Sequence, residues 1–428
     1  MKKLLALMIM VFFVSPVPII STEKEIPFSS THLHPLTQNS VTKATYFSNI
    51  PQNPNLYYET NTYSDANLSV FAKVLKPNDD FQITDLLLNA SGIPVFLLSD
   101  GTYIEANHRY IYDDMTINQV KVDLTFWLQE NFTVYKQPFV KGIATIKTDL
   151  KAFTNVHASQ VAQTQEGNYY YIDDKGWISE KDLSIADNRM AKVQEVLSQK
   201  YNKDKYSIYV KQLDSQASAG INADKMMYSA SIAKLATLYY VQNQLNTGQI
   251  KPDKPLRYID QVNHFDGAYG PSGSGHIDKE ADNKEYRVDS LLKAIAQHSD
   301  NVATNILGYY IANKYDHKFY LQVNAISGID WNMESRMISS HAAANIMESI
   351  YYQKGEIISY LSQTDFDDTR ISKNIQVPVA HKIGDAYDYK HDVAIVYGNS
   401  PFILSIFTDK SSYDDITNIA DDIYAILK

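Results

Sequence analysis

Tyr228-Ser-Ala-Ser231-Ile-Ala-Lys234-Leu-Ala-Thr-Leu-Tyr-Tyr-Val241 is the stretch on which the reading of the fold turns. Its apolar residues Ile232, Leu235, Ala236, Leu238, Tyr239 and Val241 recur at helical spacing, which predicts a largely buried helix with Ser231 in its first turn. Lys234 lies three residues on, on the same face and one turn from the hydroxyl, within reach of its proton. The unpaired backbone N–H groups of such a first turn can stabilise an oxyanion. The spacing alone decides nothing, because Ser21, Ser40 and Ser290 also have a Lys three residues on. Context has to carry it.

Upstream, Tyr206–Leu213 and Lys225–Tyr228 predict a strand hairpin around a turn over 214–220. Downstream, Val288–His298 and Val302–Gly308 predict helices, while Asp392–Tyr397 and Pro401–Phe407 predict strands. Helices over 188–200 and 413–427 close the two ends. Terminal strands in one sheet with helices inserted between them give an α/β, helix-sheet-helix architecture for 187–428. Two further short stretches bear chemistry. Ser299-Asp300-Asn301 sits between two helices, where a plain N-cap would use the same residue types. Lys382-Ile383-Gly384 precedes the strand at Asp392 and reads as an edge strand with a close-approach glycine, where a solvated edge Lys is the simpler reading.

Taken together and in this order, Ser231-x-x-Lys234, Ser299-Asp300-Asn301 and Lys382-Ile383-Gly384 resemble the SxxK, SDN and KTG motifs of class A β-lactamases and penicillin-binding proteins. The flanking Tyr228–Leu235 and His391–Val396 are similar to that family as well, and the likeness spans roughly 205–408. It implies a β-lactamase/transpeptidase-like domain with Ser231 as nucleophile. A Ser hydroxyl needs a base to take its proton, and Lys234 is the candidate, its charged form disfavoured by partial burial and by Lys382. Ser299 is expected to relay a proton to the leaving nitrogen, and Asn301 to hold a substrate amide or orient Lys234. Lys382 would attract a substrate carboxylate and hydrogen-bond Ser299. Gly384 and Asp385 are expected to bind the substrate beside Lys382, and the family implies the N–H of Asp385 as second oxyanion donor. Two positions depart from the pattern. Ile383 replaces a hydroxyl residue that would bind a carboxylate, and the loop that should carry a deacylating Glu is short, with Glu334 as its sole counterpart and no Asn before Asn345.

Met1-Lys2-Lys3 followed by the apolar run Leu4–Ile20 predicts a signal peptide or anchor over 1–22, hence an exported protein at the outer face of a bacterial membrane. Residues 23–62, rich in Thr, Ser, Asn and Pro, read as a linker. Over 63–186, the segments Phe96–Ile104 and Tyr170–Ile178 look alike at a constant offset of 74, which suggests two related small β-barrel modules. The second, ending Gly176-Trp177-Ile178, resembles the wall-binding GW module of bacterial Src-homology-3 type. Residues 60–186 hold ten Lys or Arg against sixteen Asp or Glu, which argues against an anionic wall polymer and leaves spacing or glycan contact. The chain has no Cys and a formal net charge of -10, so neither disulfides nor thiolate metal sites hold it, and nucleic acid is not an expected partner. His264, His276, His298, His341, His381 and His391 are too scattered along the chain to suggest a metal site. No phosphate loop or dinucleotide fingerprint is present, and no cofactor is expected.

The sequence therefore points to a serine acyl hydrolase forming an ester on Ser231 with a β-lactam or a peptidoglycan stem peptide. The alternatives are a D,D-peptidase-like target that deacylates slowly and a non-catalytic surface-binding or adhesion protein.

Overall fold

The computed structural model describes residues 45–428. The signal or anchor expected over 1–22, and the linker as far as residue 44, lie outside the described residues. No described helix is long and apolar enough to cross a membrane. The described chain divides into two compact units, one of 45–118 with 139–143 and 163–166, the other of 119–138, 144–162 and 167–428.

The first unit begins earlier than its sequence suggested. Within residues 54–62, read as linker, lie strand β1 (Pro54–Leu56) and most of β2 (Thr60–Tyr63). β2 joins β3 (Phe71–Leu75), β4 (Ile83–Leu88), β5 (Pro94–Leu98) and β6 (Tyr103–Glu105) in a sheet of order β3-β2-β6-β5-β4, and β1 pairs with β7 (Ile111–Asp113). Polar composition hid these strands because such a small sheet buries only alternate residues. Leu56, Phe96, Ile104 and Ile111 are its inward set, with Phe47, Leu75 and Phe81.

The second unit opens with another antiparallel sheet, built from β8 (Asn118–Leu128), β9 (Val134–Tyr135), β10 (Asn155–Thr164), β11 (Gly167–Ile172), β12 (Gly176–Ser179) and β13 (Leu183–Ser184). The offset of 74 reappears here as geometry. Leu97 faces Tyr103 across the β5–β6 hairpin and Tyr171 faces Trp177 across β11–β12. Both turns close alike, Gly101 N donating to Leu98 O and Lys175 N to Ile172 O. Trp177 is 6% exposed, so its indole fills the module rather than offering a free face to a ligand.

The remaining chain runs α1 (Arg189–Val196), β14 (Tyr206–Gln212), β15 (Ser218–Ile221), β16 (Met227–Tyr228), α2 (Lys234–Asn246), β17 (Pro255–Arg257), β18 (Glu285–Arg287), α3 (Val288–His298), α4 (Asn301–Tyr310), α5 (His317–Ser327), β19 (Met337–Ile338), α6 (Ser340–Gln353), α7 (Ile357–Leu361), β20 (Val379–Ala386), β21 (Tyr389–Val396), β22 (Phe402–Asp409) and α8 (Tyr413–Leu427). A five-stranded antiparallel sheet of order β15-β14-β22-β21-β20 is covered on both faces. Phe402, Leu404 and Ile406 pack with α1 and α8, whereas Ile403 and Phe407 join the larger core around α2, α3, α4 and α6. Burial on both sides is why these strands read as unbroken apolar runs. The expected hairpin is corrected in one respect. β14 pairs with Ser218–Ile221, while Met227–Tyr228 crosses to Met337–Ile338. Ser-Ala-Gly-Ile carries little strand signal, yet a side chain at Gly220 would stand 2.8 Å from Ile208 O, so only a bare backbone fits.

Candidate active site

Ala230–Ala233 forms a 3₁₀ turn that runs straight into α2. Ala230 takes a left-handed conformation (φ 51°), so the chain bends sharply and sets Ser231 at the head of the central helix. Ser231 is 8% exposed. The bend is held from three sides. Ser229 N donates to Arg336 O at 2.9 Å, the Tyr269 hydroxyl donates to Ala230 O at 3.2 Å, and His391 Nε2 lies 2.9 Å from Tyr228 O. β20, the edge strand, passes alongside. A Cβ on Gly384 would lie 2.6 Å from Ser229 O and 2.8 Å from Ile232 Cγ1, which identifies this glycine as the point where the strand meets the turn that carries Ser231.

Lys234 is fully buried. Its Nζ donates to Ser299 O at 2.6 Å and to Asn301 Oδ1 at 2.6 Å, with Ser299 Oγ at 3.4 Å. Burial, and next the charge on Lys382, hold this amine well below its usual range. A neutral amine has two N–H bonds and one lone pair. In the neutral form the two short acceptors match its two N–H groups and leave the lone pair free.

Ser299 ends α3 in the left-handed region (φ 53°) and is fully buried. Its Oγ accepts from Lys382 Nζ at 2.8 Å, and Lys382 also donates to Ile383 O at 3.0 Å. One hydroxyl thus lies between the two lysines. Burial brings Lys382 down to about 7, against the opposing pull of Asp392. Asn301 is the first residue of α4; its Nδ2 donates to Gly270 O at 2.7 Å, which fixes the amide so that Oδ1 faces Lys234. Asp300 is the N-cap of α4, accepting from Ala303 N, and its other oxygen accepts from His276 N and Ile277 N at 2.7 and 2.9 Å. It therefore serves as a cap and anchors a neighbouring loop at the same time.

Of the remaining expected residues, Asp385 has its carboxylate tied by Arg370 at 2.7 Å and by the Tyr413 hydroxyl. Its N–H lies on the sheet's edge strand, next to Gly384. Ile383 is buried and presents no hydroxyl. Glu334 stands exposed in the turn before β19, held there by its own backbone through Asn332. The residue of that turn that does reach the site is Arg336. Its guanidinium stacks 3.7 Å over the Tyr269 ring and donates to Gly267 O and Ala268 O. On the same ring lies Lys234 Nζ, 4.5 Å from the centroid. Tyr269 and Arg336 escaped the sequence reading because neither belongs to a motif; the one available signal was a lone aromatic inside the glycine-rich 267–275.

Two histidine environments could not be read from the sequence. His381 lies fully buried in β20, its Nδ1 3.0 Å from Asp392 and its Nε2 3.1 Å from Asp367. Burial opposes its charge, but the two carboxylates outweigh this and raise it to about 9. Nor are all the histidines scattered in space, since the rings of His276 and His298 stack at 4.1 Å.

Residues 188–427 match the model of the beta-lactamase enzyme family, and residues 46–111 match a domain of unknown function (DUF5776). No curated protein matches the chain. Among solved structures, PBP-A is 16% identical, with a TM-score of 0.45 over 56% of this chain and 94% of its own. The TLA-3 extended-spectrum beta-lactamase is 18% identical, with a TM-score of 0.46 over 56% of this chain and 98% of its own. A beta-lactamase from Chitinophaga pinensis DSM 2588 is 16% identical, with a TM-score of 0.47 over 56% of this chain and all of its own.

Proposed function

Because the chain belongs to the beta-lactamase enzyme family, its model matching residues 188–427 and so more than half of the sequence, we propose that it is a serine acyl-transfer hydrolase that carries its acyl group on Ser231. The observation that carries this reading is the buried Lys234, whose Nζ donates at 2.6 Å to both Ser299 O and Asn301 Oδ1. Its lone pair takes the Ser231 proton as Oγ attacks a carbonyl. The N–H of Ser231 and that of Asp385 receive the oxyanion. Ser299, bonded to Lys382, passes a proton to the leaving nitrogen, and Lys382 attracts the carboxylate of a β-lactam or of a peptidoglycan stem peptide. The missing hydroxyl at Ile383 weakens carboxylate binding and favours a slow reaction.

Hydrolysis of the ester is the slow step in this reading. Glu334 is exposed, and the turn that carries it sends the cation Arg336 toward the site instead. A positioned general base is worth about 10²- to 10⁴-fold in rate, so the acyl-enzyme persists, as in a penicillin-binding target. We place the protein outside the cytoplasm on the strength of its N-terminal sequence, with the GW-like hairpin at Gly176-Trp177 as a spacer or glycan contact. The test is labelling with a fluorescent penicillin. Ser231→Ala is expected to abolish the covalent adduct seen by mass spectrometry while leaving the fold intact. An adduct that survives on Ser231→Ala moves the nucleophile elsewhere. A folded wild type that neither β-lactams nor peptide esters acylate leaves the surface-binding alternative, which Ile383 would suit.

A further inference from the structure

We propose that His276, His298 and Asp365 form a binding site for a divalent transition metal of the zinc class. The three residues come from separate stretches, and one ligand atom from each lies within 4.8 Å of the others. His298 Nδ1 is 2.8 Å and His276 Nε2 3.7 Å from the same oxygen, Asp365 Oδ2. Around a tetrahedral Zn²⁺, with bonds of about 2.0–2.2 Å, ligand atoms stand roughly 3.4 Å apart. The 2.8 Å pair has to open to that spacing, which the half-exposed Asp365 side chain can do by a small rotation, and the exposed His276 side chain has room to turn toward the same ion.

The backbones beneath these side chains are already fixed. His276 N donates to the buried carboxylate of Asp300 at 2.7 Å, and the preceding Gly275 sits so close that a Cβ there would meet Asp300 Cγ at 2.2 Å. His298 is the last residue of α3. Asp365 N donates to Gln297 O at 3.1 Å, which ties the third ligand to that same helix end. Little ordering is therefore left for a metal to impose.

Proton-mediated pairing accounts for this cluster poorly. Two stacked imidazoles at 4.1 Å that were both protonated would set like charges face to face, and a single exposed His–Asp pair contributes little. One cation shared by two neutral imidazoles and a carboxylate satisfies all three groups. Two imidazoles and one carboxylate suit zinc-class ions over calcium or magnesium, and three protein ligands leave a fourth position for water or an incoming group. The bound ion would cross-link segments that each reach the site: the loop on Asp300, the helix end before Ser299, and the segment in which Thr364 and Asp367 contact His381.

None of the readouts needs a substrate, so the proposal stands apart from the acyl-transfer reading. Chelator-treated full-length protein is titrated with ZnCl₂ by calorimetry, and separately with CoCl₂ by visible absorption. The expected result is one site per chain in the micromolar range, a raised melting temperature, and the intense bands of four-coordinate cobalt. His276→Ala and Asp365→Asn, both at exposed positions, are each expected to weaken Zn²⁺ at least about tenfold and to remove the cobalt bands, whereas His264→Ala changes neither. Absence of binding at about 1 mM Zn²⁺ overturns the proposal, and so does unchanged affinity in both variants, which would place the metal elsewhere on the chain.

Discussion

Ser299 touches both lysines of the site, and the electrostatics around it set how the protein responds to pH. Lys382, brought down to about 7 by burial, and Lys234, held well below its usual range, both bind fewer protons folded than unfolded, so their contribution to stability grows as pH rises above 7. His381 has the opposite sign. Its folded value of about 9 exceeds the ordinary 6.5, so its contribution is complete below pH 6.5 and is lost as pH rises through 9, a swing of roughly 3 kcal/mol. Because the lysines and His381 pull in opposite directions, urea unfolding across pH 6.5–9.5 is expected to show stability rising more steeply with pH in His381→Gln than in the wild type. An unchanged slope would mean that His381 is not charged between Asp392 and Asp367. Glu334 yields a second expectation at this scale. Glu334→Gln should leave the lifetime of the acyl-enzyme within about twofold of the wild type in a label-and-chase measurement, since a base must stand within about 3 Å of its water or one relay away. Rapid loss of label that Glu334→Gln arrests would restore a β-lactamase-like turnover.

β20 and the turn at Ser231 are elements whose contact depends on one absent side chain. Gly384→Ala forces a methyl against Ser229 O and Ile232, both rigidly placed, and overpacking of this kind costs about 1–3 kcal/mol. Melting temperature should fall and acylation should slow together; a variant with normal acylation would separate strand from site. At the same scale, the α/β layout was legible in the sequence wherever both faces of an element are buried, as in α2, β21 and β22. There the apolar runs are long enough to leave one reading. β15 was misplaced because Ser218-Ala-Gly-Ile is defined by what Ile208 leaves room for at Gly220, a constraint carried by a residue twelve positions away. The three motifs could be read because each lies at a helix start, a helix end or a strand edge. Arg336 and Tyr269 could not, since a stacked pair from two loops leaves no periodicity. The His276–His298 contact was hidden likewise, the two being 22 positions apart with β18 and most of α3 between them.

For the whole molecule, the two large cores lie entirely within 190–427. A fragment of residues 187–428 is therefore expected to fold and to react at Ser231. It loses the Arg189–Trp127 stack at 4.6 Å, the Lys192–Glu130 ion pair and the Asn188 bond to Leu128 O, so it should melt a few degrees lower than the full chain. A fragment that is insoluble or does not react would make the β11–β12 module part of the folding unit. The division of the chain into units has another consequence. The polypeptide passes between them repeatedly, because 139–143 and 163–166 belong with 45–118 while the residues between belong to the other unit. The Asp114 carboxylate accepts from Lys141 N and Ile117 N donates to Gln163 O, so these returning segments are laced into the first unit by hydrogen bonds. A protease that cuts once near residue 118 breaks the covalent link without freeing anything. The severed piece still grips two loops of the other fragment, and the nicked protein should migrate as one species until it is denatured.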